Sequence, residues 1–218
     1  ELSVKPLLLD TPTRDFTQTE AMSMTELLDA MSIGAKAVDT DANILLLGEM
    51  GIGNSTISSA LAASIFGGSV SDWVGAGTGS DETGIAHKIN VIKKGIEKHG
   101  ARSDLSVLLA FGGREQAAIC GAILAARAGS IPVLLDGFIC TAAAAPLYAL
   151  SAKLLDHCLV GHKSAEPGHK KLLNAMNKTP ILDLEMRLGE GTGAALALCI
   201  LRGAVVCHNQ MATFSSAG

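Results

Sequence analysis

The chain reads as an α/β protein, a Rossmann-like three-layer α/β/α fold with a mostly parallel sheet. Three observations predict this. Short, wholly apolar runs alternate with helical stretches, and each run stops at a glycine or an acid. The core is supplied by Ala, Leu, Ile and Val, with aromatics at only 3% against 48% apolar residues. Strand, glycine or acid, helix in repetition is the pattern of a doubly wound sheet, whereas an all-β sandwich uses more aromatics. A chain of 218 residues suffices for one domain with a real core.

Residues 1–22 read as an irregular polar arm with Pro6 and Pro12, and residues 23–218 as a single domain. Ser23 or Thr25 caps a helix to about residue 38, with Leu27, Leu28, Met31, Ile33 and Ala35 near helical spacing. Asn43–Leu47 suits a strand buried on both faces. The loop Gly48-Glu49-Met50-Gly51-Ile52-Gly53-Asn54 follows it and opens a helix over Thr56–Ile65. Gly75-Ala76-Gly77-Thr78-Gly79 leads into a charged helix over 82–99. Leu105–Ala110 predicts a strand ended by Gly112-Gly113, with a helix through Arg127 after it. Ile131–Leu135 predicts the next strand, stopping at Asp136-Gly137 before an alanine-rich helix. Leu154–Val160 predicts another, running into His162–His169, a loop with a tight turn at Glu166-Pro167-Gly168. Ala194–Cys207 is an apolar helix expected to be buried. In such sheets ligands bind beyond the carboxyl ends of the strands, where these loops lie.

The formal charge of −4 and the single Trp73 and Tyr148 give neither a basic footprint nor stacking platforms, so nucleic acid is not an expected partner. Five cysteines without a C-x-x-C spacing read as reduced, mostly buried thiols of a cytoplasmic protein. The apolar stretches near 138–150 and 193–206 are interrupted by Pro146 and Arg202 and fall short of the ~20 residues of a bilayer span. No secretory signal is visible, and a soluble chain without a membrane partner is expected. His162 and His169 share a loop, but no acid or cysteine at ligand spacing supports a metal, and no cofactor is expected.

The chemistry concentrates in two glycine loops that each carry a glutamate. Gly48, Gly51 and Gly53 follow G-x-x-G-x-G, which is neither the dinucleotide fingerprint nor a P-loop. Glycines there let the backbone approach a ligand, and a helix start offers free N–H groups to an anion. The alternative is a tight turn with an exposed glutamate. In Arg187-Leu188-Gly189-Glu190-Gly191-Thr192-Gly193 the glycines alternate around Glu190 and Thr192. Before a buried helix, Glu190 is expected at the rim of the core, where partial burial raises a carboxyl towards the basicity of proton abstraction. A solvent-facing glutamate at a helix start is the alternative. Gly77 and Thr78 offer an N–H and a hydroxyl to a phosphate or sugar, and Lys88 lies on the helix behind them. Ser164 presents a hydroxyl from the turn before Pro167.

Taken in order, these segments with Asp136-Gly137-Phe138, Ser164–His169 and Met211-Ala212-Thr213-Phe214 closely resemble the nicotinate-nucleotide–dimethylbenzimidazole phosphoribosyltransferases. The resemblance runs over residues 5–218. It implies transfer of a 5-phosphoribosyl group from nicotinate mononucleotide to 5,6-dimethylbenzimidazole, giving α-ribazole 5′-phosphate and nicotinate with inversion at the anomeric carbon. By the same resemblance Glu190 is the general base and Glu49 the second active-site glutamate. Lys88, Gly51, Gly77, Thr78 and Ser164 hold the phosphate and ribose, Met50 and Leu188 line the base slot, and Asp136 lies near the nicotinate side. It also implies a homodimer that needs neither metal nor cofactor. Family members are longer, with an N-terminal region that supplies strands and azole contacts, and Glu1 in place of a methionine suggests a fragment. Two rivals stand beside this reading. One is a non-catalytic α-ribazole or nicotinate-nucleotide binding protein on a truncated fold; the other, an NAD-dependent dehydrogenase, is disfavoured by the glycine spacing.

Overall fold

The structure, a computed structural model, describes residues 2–7, 10–77 and 79–217. Helix α1 (Met24–Lys36) starts in a capping box: the Ser23 hydroxyl accepts from the Glu26 N–H while the Glu26 carboxylate accepts from the Ser23 N–H. Strand β1 (Leu45–Leu47) is followed by α2 (Asn54–Phe66), α3 (Glu82–His99), α4 (Ser106–Phe111) and α5 (Arg114–Ala128). Then come β2 (Val133–Leu135), α6 (Phe138–Leu150), β3 (Cys158–His162), α7 (Pro167–Ala175) and β4 (Pro180–Leu182). Helix α8 (Thr192–Gln210) and a short α9 (Phe214–Ala217) end the chain.

The four strands are parallel, in the order β1-β2-β3-β4, with Leu45 opposite Val133, Val133 opposite Cys158 and Val160 opposite Pro180. Their alternating side chains divide between two layers. Val133, Leu135, Cys158 and Val160 join the main core, which also takes residues of α2, α4, α5, α6 and α7. Leu134 faces the other way, onto Ala194 and Ala197 of α8. This is the three-layer α/β/α arrangement that the sequence predicts. The doubly wound expectation is corrected in one respect: among the described strands the order never reverses. Consecutive helices therefore cover one face, and among the described residues α8 covers the other.

Three element expectations change. Leu105–Ala110 is not a strand but lies mostly in helix α4, started where the Asp104 carboxylate accepts from the Ser106 N–H at 2.8 Å. A short apolar run does not separate a buried helix from a buried strand. Strand β3 begins at Cys158 rather than Leu154, because residues 152–155 form a tight 3-10 turn whose Leu155 carbonyl, with that of Cys158, accepts from Lys178 Nζ. Helix α8 spans 19 residues, long and apolar enough by length and composition to cross a bilayer despite Arg202. It is not buried as expected: it meets the sheet through Gly193, Ala194 and Ala197, while Leu196, Ile200, Val205 and Val206 are exposed. The arm before α1 contributes Phe16, Ala21 and Met22 to the core.

Candidate active site

The carboxyl ends of all four strands open onto one cleft of about 290 Å³. Residues after β1 (Glu49–Ser55), β2 (Asp136–Cys140), β3 (Ser164, Glu166) and β4 (Arg187–Glu190) line it, with His162 backing its wall. The two glutamate loops therefore meet, although 141 positions separate Glu49 from Glu190 (190 minus 49). Contact is backbone to backbone: a Cβ on Gly48 would stand 2.6 Å from the Gly191 nitrogen.

Each loop ends in a glycine that caps a helix in the left-handed region, Gly53 at φ 80° for α2 and Gly191 at φ 86° for α8. An L-residue adopts that geometry only with strain, which explains both glycines. Glu190 itself has φ 61°, between Gly189 at 72° and Gly191 at 86°. Such a turn holds only where its surroundings impose it.

The two carboxyls sit in different environments. Glu190 is exposed, not at a buried rim as the sequence suggested. It lies in the left-handed turn before α8, while the helix itself meets the sheet through Gly193 and Ala194. Glu49 is the part-buried one. Burial pushes its carboxyl up to about 7; a hydrogen bond from the Asn54 side chain opposes the rise, and the charges of Glu115, Asp136 and Glu190 add to it. Burial likewise raises Glu115, whose carboxylate lies under the loop, 3.0 Å from where a Cβ on Gly51 would stand.

Towards one end of the cleft Lys88 Nζ rests against three neutral oxygens, Ser55 Oγ (3.4 Å), the Gly75 carbonyl (3.4 Å) and the Ala76 carbonyl (3.3 Å). A Cβ on Gly77 would be 3.0 Å from both Lys88 Nζ and Ser55 Oγ. The Gly77 N–H is engaged by Glu166 Oε1 at 2.9 Å. Thr78 lies outside the described residues. The start of α2, Ser55 and Lys88 together form a pocket suited to an oxyanion. A neighbouring cleft of about 310 Å³ shares Gly53 and also touches Lys88.

Ser164 is buried and held from two sides: its N–H donates to His169 Nδ1 at 2.8 Å, and its hydroxyl accepts from the Glu166 N–H at 3.3 Å. His169 Nε2 in turn lies 3.2 Å from Thr141 Oγ1, which donates to the Gly137 carbonyl. Burial, with the neighbouring His162, drives His169 down to about 3, so it is a neutral strut. At the apolar end Met50 and Leu188 line the cleft while 78% and 60% exposed, which leaves their side chains free to cover a planar ring. Asp136 is 2% exposed and its oxygens accept from the Gly191 and Ala194 N–H groups. Burial would raise its carboxyl, but His162 and those two amides hold it below the usual range.

The sequence singled out Glu49, Met50, Gly51, Gly77, Ser164, Leu188, Glu190 and Asp136, and these line one cleft, with Lys88 at its end. It missed Asn54, Ser55, Glu115 and Glu166. Ser55 had a signal, as a hydroxyl in the first turn after the glycine loop; Glu115 had none, because only the fold brings α5 under that loop.

A phosphoribosyltransferase family model matches residues 2–218. The chain is 58% identical over 218 residues to the nicotinate-nucleotide–dimethylbenzimidazole phosphoribosyltransferase of Rhodobacter capsulatus, covering 100% of this chain and 65% of that protein. It is 54% identical over 217 residues to the same-named protein of Ruegeria pomeroyi, again covering 65% of it. A crystal structure of CobT from Thermus thermophilus superposes with a TM-score of 0.88 at 38% identity, over 94% of this chain and 63% of that one. The chain thus spans about 65% of the length of these curated relatives. A family match over residues 2–218, on a fold whose cleft joins both glutamate loops, leaves one assignment: the chain belongs to the phosphoribosyltransferase family.

Proposed function

We propose that this chain carries the catalytic part of an enzyme that moves the 5-phosphoribosyl group of nicotinate mononucleotide to 5,6-dimethylbenzimidazole. The observation that supports it most is the meeting of Glu49 and Glu190 over one cleft, with a phosphate-sized cradle at one end and exposed apolar side chains at the other. The reading also draws on the names of the relatives.

In this mechanism one ring nitrogen of the benzimidazole attacks the anomeric carbon while Glu190 takes the proton from the other. The carbon–nitrogen bond to nicotinate breaks, and its electron pair neutralises the pyridinium, so no acid is needed. Lys88, Ser55, Gly51, Gly77, Thr78 and Ser164 fix the phosphate and ribose, which makes the displacement effectively unimolecular. Glu49 favours the positive charge that grows on the ribose, and Asp136 lies towards the nicotinate side. Met50 and Leu188 close over the acceptor ring. A homodimer, supported by the exposed apolar side of α8, and a cytoplasmic location, supported by five free thiols, complete the proposal.

A second assignment of the base has its own support. Glu49, pushed up to about 7, is protonatable and basic near neutrality, so it is a competitor for the proton-accepting role.

The test is formation of α-ribazole phosphate by this 218-residue chain and by a version extended upstream in its reading frame. Activity in either supports the transfer; none from either, with both folded, rejects it in favour of a nucleotide-binding protein. Glu190→Gln then separates the roles: a base variant loses turnover and keeps nucleotide affinity, while Glu49→Gln reports the competitor.

A further inference from the structure

Asp136 ends β2 with its carboxylate turned towards α8. Oδ2 accepts from the Gly191 N–H at 3.1 Å and Oδ1 from the Ala194 N–H at 2.7 Å. Its other close polar neighbour is His162, the last residue of β3 and fully buried, with Nε2 3.7 Å from Asp136 Oδ1. Among the described residues, neither ring nitrogen of His162 has a hydrogen-bond partner. The ring is boxed in by two glycines of the motifs themselves. A Cβ on Gly137 would come within 2.6 Å of Nε2, and one on Gly193 within 1.9 Å of Cδ2. The final glycine of the second loop is therefore needed to clear a histidine. Before it and Thr192, Gly189, Glu190 and Gly191 are all left-handed, a shape that a residue with a Cβ does not keep unaided.

We propose that His162 is a positioning residue for the transfer reaction. Protonated on Nε2, its imidazole donates to Asp136 and keeps that carboxylate aimed at Gly191 and Ala194. The carboxylate fixes the backbone turn that presents Glu190. This rests on the transferase reading above. The 3.7 Å separation exceeds a hydrogen bond by about 0.5 Å, and catalytic contacts of this kind commonly tighten on substrate binding. Both ring nitrogens are shielded from solvent, so His162 acts through Asp136 rather than on the substrate.

The test combines backbone amide exchange with turnover in wild type, His162→Leu and His162→Gln. In His162→Leu the Gly191 and Ala194 amides are expected to exchange about tenfold or more faster, the scale of losing a hydrogen bond to a charged group. The kcat falls by a similar factor, while the KM for nicotinate mononucleotide stays within about twofold of wild type. His162→Gln, which can return an N–H to the same place, restores most of both. Unchanged exchange at those two amides in His162→Leu overturns the proposal, as does an equal loss of kcat in both variants. If His162→Leu does not fold, nitrogen NMR of the wild-type imidazole decides: a protonated Nε2 supports the clamp and a bare Nε2 overturns it. A wild type without turnover in either length, this chain or the extended version, whose two amides still respond to His162→Leu rejects the transferase reading and keeps the clamp.

Discussion

The Gly77 N–H donates to Glu166 Oε1 at 2.9 Å, tying the loop beside Lys88 to the turn after β3. Removing that acceptor leaves the N–H without its partner and frees the loop. Glu166→Ala is expected to raise the KM for nicotinate mononucleotide about tenfold, in line with loss of a charge-assisted hydrogen bond, and to change kcat less. Steady-state kinetics decide; an unaltered KM would mean that the loop is held in other ways.

Glu49 makes stability depend on pH in a definite direction. Its folded value of about 7 lies above the ordinary 4.5, so between those pH values the folded protein keeps a proton that the unfolded chain has released. The stabilisation is complete below 4.5 and is lost as pH rises through about 7, with a slope of at most about 1.4 kcal/mol per pH unit. Glu49→Gln should flatten the fall. Urea unfolding at several pH values, taken as the difference between variant and wild type, measures it.

His169 works with the opposite sign. Held neutral with a value of about 3 against an ordinary 6.5, it stabilises fully above 6.5 and loses that contribution as pH falls towards 3. Wild type should therefore weaken below pH 6.5 more steeply than His169→Gln does, again by up to about 1.4 kcal/mol per pH unit. Equal acid sensitivity of the two proteins would place the acid-labile group elsewhere.

Glu26 serves two structures at once. It closes the capping box of α1 and pairs with both Arg14 (2.9 Å) and Arg114 (3.0 Å), and the Arg114 side chain is only 6% exposed. Glu26→Ala strands a buried guanidinium and opens the cap together. A loss of about 3 kcal/mol is expected in denaturant unfolding, well above the ~1 kcal/mol of a cap alone.

Most of the elements around the cleft were readable because each carries a local signal. Asn43–Leu47 and Ile131–Leu135 are apolar runs closed by Gly48 and Asp136, and the strands lie within them. Leu105–Ala110 carries the same signal and is mostly helix, since a short apolar run fits a buried helix as well as a buried strand. Helix α7 and strand β4 went unread although both begin at a proline, Pro167 at a helix start and Pro180 at an edge strand, positions that proline favours. In the site, residue types were legible and environments were not. Glu190 has the more telling motif, yet Glu49 is the glutamate that the fold partly buries. That burial comes from neighbours brought together only by the fold, which no spacing encodes.

The contact between Gly48 and Gly191 also bears on how this site can be re-engineered. With the two backbones touching, a change in either loop is transmitted to the glutamate of the other. Substitutions on the two sides should be strongly epistatic, with single changes that look harmful becoming neutral in pairs. A search for new acceptor specificity that randomises one loop at a time would discard the combinations that work, whereas a library spanning both would retain them.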